Sequence, residues 1–301
     1  MFYGLDEASR ARVREGFDIL QPAFRKTFAA DMLITFNRSQ AFESDAAFMQ
    51  AFNACAANPQ EESLIWRLHT LCWAAGNALR LDGDFVECGV FRGFCSAVAA
   101  RYLDFKAVPK RWYLYDTFTG IPADQLNTGH EDRPDFADPD NLGTVRERFA
   151  GFTNIEIVQG RVPEVFATTV PARIAFLHLD LNSAAAELGA LEVLFDRVVD
   201  GGFILLDDYG QMFHEEQQVG EDAFFAARGL RVLELPTGQG LVVKSPLGNG
   251  GVALAPPQVT LRHAAGAAQR GDLFAMVRRA LKILGGVVLL GGLGLALYLA
   301  R

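Results

Sequence analysis

Between residues 84 and 245 the chain alternates short apolar runs with stretches whose apolar positions recur every three or four residues. The runs FVECGV (85–90), WYLYD (112–116), IEIVQG (155–160), IAFLHLD (174–180) and FILLD (203–207) predict strands. Helical spacing separates them in RGFCSAVAARYL (92–103), around 142–150, in AAAELGALEVLFDRVV (184–199) and in HEEQQVGEDAFFAAR (214–228). RVLELP and LVVKS, joined by the glycine-containing turn TGQG, predict an antiparallel hairpin that closes the sheet. The succession is that of an α/β fold, a mostly parallel sheet with helices on both faces. One connection, 117–141, is too long to be a simple link and is expected to be a binding loop or lid.

Residues 1–83 have a different texture. Phe17, Phe24 and Phe28, then Leu64, Leu68 and Leu71, fall at helical spacing, and NPQEESLIW has the composition of a helix start. This predicts a helical layer, a lid or a dimerisation surface of a homo-oligomer, with no catalytic pattern in it. Residues 246–279 form a glycine-rich linker to a tail at 280–301, in which 283–300 carries no charge. Eighteen residues at about 1.5 Å each reach roughly 27 Å, close to a bilayer core. Arg278, Arg279 and Lys282 precede the run, so the basic flank would stay cytoplasmic and the tail would anchor the body to the inner face of the membrane. Gly292, Ala296 and Ala300 would then offer a helix-pairing face. The competing reading is a terminal helix packed on protein.

Composition narrows the function. The net charge of −8 has the wrong sign for general nucleic-acid binding. Cys55, Cys72, Cys88 and Cys95 lack zinc-ligand spacing and sit in apolar segments, as buried thiols of a reducing compartment do. No signal-peptide core precedes the first helix, so the body is expected to be cytoplasmic.

The chemistry-bearing residues stand at strand ends, where open α/β sheets bind ligands. Glu87, Gly89 and Gly93 form an E-x-G-x-x-x-G turn after the first core strand. Phe91 occupies the place of the middle glycine of the dinucleotide pattern, so a nucleoside without a pyrophosphate, such as S-adenosylmethionine, is the better ligand. Asp116, one βα unit later, is placed to accept ribose hydroxyls or to cap a turn. Asp180, Asp207 and Asp208 end two later strands, and together with Asn182 they make a hard-oxygen set suited to Mg²⁺ or a similar divalent cation. Without a cation such a cluster repels itself, and Asp207 is expected to be the direct ligand. His214, His178 and His130 are candidate bases, with His214 favoured because it follows the aspartate pair.

Taken in order, VECGVFRG, YDTFTGIP, HLDLN and GGFILLDDYG resemble the macrocin O-methyltransferase-like family of metal- and S-adenosylmethionine-dependent sugar O-methyltransferases. The resemblance covers about 84–245 and implies a Rossmann-like class I methyltransferase core. It assigns Glu87, Gly89, Gly93 and Asp116 to the cofactor and Asp180, Asp207 and Asp208 to the metal. It also implies a sugar or glycoconjugate acceptor, lipid-linked if the tail is an anchor; Asp180, and His214 as the favoured base, are the candidate catalytic residues. Asn182 stands where the family often has a second acid, and alanines follow where it has an aromatic. A phenolic or polyketide hydroxyl is the alternative acceptor. A non-catalytic binding module of a membrane glycan-assembly complex is the alternative of a different class.

Overall fold

The computed structural model describes residues 6–128 and 135–245. The predicted linker and apolar tail, and His130, lie outside the described residues. Among the described residues no helix is long and apolar enough to cross a membrane.

The N-terminal region is not wholly helical. After α1 (Glu7–Leu20), strands β1 (Thr27–Ala30) and β2 (Leu33–Phe36) pair antiparallel, and only then follow α2 (Ala46–Cys55), α3 (Pro59–Ser63) and α4 (Ile65–Ala78). The hairpin turn is made by Asp31 and Met32, both left-handed at φ 47° and 60°. Neither is a glycine or asparagine, so the sequence carried no hairpin signal there.

The core follows the predicted order: β3 (Asp84–Cys88), α5 (Phe94–Tyr102), β4 (Trp112–Asp116), α6 (Asn141–Phe149), β5 (Ile155–Gln159), β6 (Ile174–Leu179), α7 (Ala184–Leu194), β7 (Val198–Leu206), α8 (Glu215–Ala226), β8 (Leu233–Glu234) and β9 (Gly240–Val243). Val198 and Val199, expected to end a helix, begin β7 instead. The strand order is β5-β4-β3-β6-β7-β9-β8. β3 to β7 run parallel, and β9 lies antiparallel between β7 and β8.

Alternation along the strands divides the core into two layers. Phe85, Leu114 and Phe176 pack with Leu68, Leu71, Ala75 and Val98 of α4 and α5 on one face. Val86, Tyr115 and Leu177 pack with Leu191 of α7 and Phe225 of α8 on the other. Both faces being covered, the parallel strands read as nearly unbroken apolar runs. The chain leaves β3 for β4 on one side and returns to β6 on the other, so the sheet opens a crevice beyond the carboxyl ends of β3 and β6.

Candidate functional site

A cleft of about 610 Å³ occupies that crevice, lined among others by Gly89, Asp116, Asp180, Asp207, Asp208 and His214. The expected residues of four strand ends therefore share one cavity of ordinary ligand size.

Asp116 organises one side of the cleft. Its Oδ2 accepts from the backbone N–H of Val90 at 2.7 Å and of Phe91 at 2.9 Å, and its Oδ1 from Phe118 N–H at 2.7 Å. Phe91 and Phe118 are left-handed, at φ 50° and 53°, a conformation that costs a non-glycine residue on the order of 1 kcal/mol or more. One carboxylate thus pins two strained loop residues, which joins the turn after β3 to the turn after β4. Gly89 lines the cleft and is also required by packing. At φ 87°, a Cβ there would lie 1.8 Å from the carbonyl oxygen of Asp180. The turn after β3 is pressed against the loop after β6, and that contact positions both. Gly93, also left-handed at φ 73°, opens α5 against Phe149.

Glu87 faces inward. Its Oε2 accepts from Ser96 Oγ and its Oε1 meets His178 Nδ1 at 3.0 Å, at 1% exposure. His178 Nε2 in turn lies 3.4 Å from Asp207 Oδ1. Burial alone would push the His178 pKa down, but the hydrogen bonds to Asp207 and Glu87 outweigh it and lift the pKa to about 10. Each ring nitrogen of His178 thus faces a buried acid, and the ring does not line the cleft.

The positive charge between the aspartates is a side chain that the sequence did not single out. Arg67, on α4, donates through Nη1 to the Asp207 carboxylate and, at 2.8 Å, to the Asp207 carbonyl; Asp208 Oδ1 lies 3.5 Å away. Its Nε donates to Asp31 Oδ2 at 3.0 Å, on the turn of the β1–β2 hairpin. Asp207 Oδ1 also accepts from Gln239 Nε2 at 2.8 Å. Burial would raise the Asp207 pKa, yet Arg67 and then His178 hold it well below the usual carboxylate range.

Asp180 is placed differently. It is half-buried, and its Oδ1 accepts from Asn182 Nδ2 at a long 3.3 Å. Burial, then the charges of Asp207 and Asp208, push its pKa well above the normal value. The Asp31 pKa is likewise raised by burial, against the pull of Arg67. Five carboxyl groups (Asp31, Glu87, Asp180, Asp207, Asp208) thus gather around Arg67 and His178.

Such a donor set fits a hard divalent cation. His178, Asp180 and Asp207 each bring a ligand atom within 4.8 Å of the others, and the other nitrogen of His178 faces Glu87. Asp207 is already engaged by Arg67, His178 and Gln239. Asp180 and Asp208 are the acids with fewer donors.

His214 is the N-cap residue of α8 and lines the same cleft. Its Nδ1 lies 2.6 Å from Gln217 Oε1. Met212 and Phe213, just before it, are exposed at 61% and 59%, and Phe213 lines the cleft, an apolar rim beside the polar floor.

The family model described as macrocin-O-methyltransferase (TylF) matches residues 67–231, a span that begins at Arg67 and leaves the Asp31 hairpin outside. Mycinamicin III 3''-O-methyltransferase of Micromonospora griseorubida is 29% identical over 162 residues, which cover 48% of this chain and 62% of that protein. The 8-demethyl-8-(2,3-dimethoxy-alpha-L-rhamnosyl)-tetracenomycin-C 4'-O-methyltransferase of Streptomyces olivaceus is 32% identical over 145 residues, 43% of this chain and 54% of that protein. The match therefore spans less than two thirds of either relative. Among solved structures, the O-methyltransferase NovP covers 60% of this chain and 80% of its own at 20% identity, with a TM-score of 0.49.

Proposed function

The chain belongs to the macrocin O-methyltransferase family, and on that premise we propose that it transfers the methyl group of S-adenosylmethionine to a hydroxyl of a sugar or glycoconjugate. The observation that carries this reading is the convergence in one cleft of the Asp116-pinned turn after β3 with the acids that end β6 and β7. The turn and Asp116 would hold the nucleoside, and Asp116 keeps lone-pair capacity on Oδ1 for a ribose hydroxyl after its backbone bonds are made. Asp180 and Asp208, steadied by Asp207, would hold a divalent cation. That cation, when bound, supplies the Lewis acidity that lowers the pKa of a hydroxyl.

The remaining work belongs to the protein side chains. Methyl transfer needs the oxygen in line with the sulfonium carbon, so orientation of the acceptor on the cleft floor accounts for a large part of the rate. His214 takes the hydroxyl proton as the O–C bond forms and the C–S bond breaks, with the electron pair staying on sulfur. The exposed Met212 and Phe213 would meet an apolar portion of the acceptor.

The test is calorimetric titration of S-adenosylhomocysteine into the protein and its Asp116→Ala variant, followed by methyl-transfer assays on glycosylated acceptors. The variant is expected to bind at least tenfold more weakly. Equal affinity would remove Asp116 from the cofactor site. Binding without transfer to any sugar, phenol or polyketide acceptor would favour a non-catalytic module.

We also take 283–300 as a membrane anchor, on the strength of its charge-free length and basic flank. Deletion of 280–301 should shift the protein from the membrane pellet to the supernatant. An unchanged distribution would reject the anchor.

A further inference from the structure

Two backbone N–H groups dictate which nitrogen of His214 is basic. The chain of donors and acceptors starts at Leu181 N, which donates to Glu187 Oε1 at 3.0 Å. The same Oε1 lies 3.0 Å from the Gln217 amide, so the group facing it is the NH₂. Independently, Ala184 N donates to Asn127 Oδ1 at 2.8 Å, which fixes the Asn127 amide with its NH₂ outward. That NH₂ meets Gln217 at 3.0 Å, so the Gln217 atom there is its oxygen. Both anchors orient Gln217 the same way. Its Oε1 is an acceptor, and His214 Nδ1, 2.6 Å from it, is the donor.

A second carboxyl group keeps Glu187 in its accepting state. Glu187 Oε2 and both oxygens of Glu221 have no other donor, and the two side chains face each other at 1% and 0% exposure. Buried polar atoms are nearly always paired, so these two share a proton. Burial, then the neighbouring Glu187, pushes the Glu221 pKa well above the usual range; burial raises that of Glu187 less. The proton resides on Glu221, and Glu187 accepts from it, from Leu181 and from Gln217. Gln217 is itself fully buried, so water does not compete for its amide.

We propose that Glu187 and Asn127, acting through Gln217, hold a proton of His214 on Nδ1, so that Nε2 is the ring nitrogen that can serve as the base toward the acceptor's hydroxyl. Glu187, Asn127 and Gln217 are positioning residues; none of them touches the substrate. The arrangement also couples the base to the loop that carries Asp180 and Asn182, since Leu181 N belongs to that loop. This inference rests on the methyltransferase reading for its chemistry but not for its geometry.

Long-range proton–nitrogen NMR of ¹⁵N-labelled protein, at a pH where the ring is neutral, reads the tautomer directly. The His214 signal is identified among the chain's five histidines by its loss in His214→Gln. The expected result is a protonated Nδ1 in the native protein and a mixture of tautomers in Gln217→Met, with Asn127→Ala as a second, milder variant. A proton on Nε2 in the native protein, or an unchanged tautomer in both variants, overturns the proposal.

Kinetics supply the second arm. A general base contributes typically 10²–10⁴-fold, and misdirecting it should cost about tenfold in kcat in Gln217→Met with the cofactor KM unchanged. In a His214→Gln background the same change should cost nothing further; an equal cost in both backgrounds would mean a merely structural role. If the native protein methylates no acceptor, the functional reading fails while the tautomer result still decides the geometry.

Discussion

Arg67→Met is expected to lower the melting temperature by on the order of 10 °C. The guanidinium is the only side chain among the described residues that contacts Asp31, Asp207 and Asp208 together. Removing it leaves three acids without that cation, two of them almost fully buried. Breaking a buried ion pair by deleting one partner costs about 3–5 kcal/mol. For a domain of this size each kcal/mol corresponds to roughly 2–4 °C. Arg67→Lys should recover only part of the loss, because one ammonium cannot reach Asp31 and Asp207 as Nε and Nη1 do at once. Millimolar Mg²⁺ should partly restore Arg67→Met, since a divalent cation can balance the freed carboxylates. Thermal melts of the three proteins with and without Mg²⁺ are the measurement. An Arg67→Met protein that melts with the native one would show that the pairs contribute nothing.

That arginine also marks the limit of what could be inferred from the chain alone. The βα order of 84–245 was readable because each parallel strand is covered on both faces and so appears as a compact apolar run. The final hairpin was readable because its turn contains glycine. Asp116, Asp180, Asp207 and Asp208 were readable because acids at strand ends stand out against those runs. Arg67 was hidden: one arginine on an amphipathic helix looks like a solvated position, and its partners lie 36 and 140 residues away. Asp31 was hidden by a turn built from residues that seldom make one, so Phe24 and Phe28 suggested a helix. Gln217 had no signal either, since its role depends on Asn127 and Glu187, which come from two other segments. Gly89 was picked for its conformation and lines the cleft as expected of it, but its close contact with the Asp180 carbonyl had no signal in the chain.

Asp180→Asn should separate stability from function. The carboxyl group of Asp180 is disfavoured in its ionised form by burial and by Asp207 and Asp208, and neither Arg67 nor His178 donates a hydrogen bond to it. An amide of the same shape removes that repulsion and can still pair with Asn182. The metal-free variant should therefore be as stable as the native protein or more so, by about 0.5–2 kcal/mol, the usual gain when a strained active site is relaxed. Methyl transfer should fall about 10²–10³-fold, the loss expected if roughly 3–4 kcal/mol of transition-state stabilisation disappears. The native protein should melt higher in Mg²⁺ and the variant should not, a readout that does not depend on finding the acceptor. The corresponding change at Asp207 should behave in the opposite way, lowering stability, because Asp207 is held ionised by Arg67 and His178. A variant of Asp180 that melts lower, keeps its response to Mg²⁺ and turns over normally would place the cation, and the chemistry, elsewhere in the cleft. The contrast between the two aspartates follows from which of them already has a cation. Asp207 is satisfied by the fold, whereas Asp180 faces the same cleft with only the long contact to Asn182.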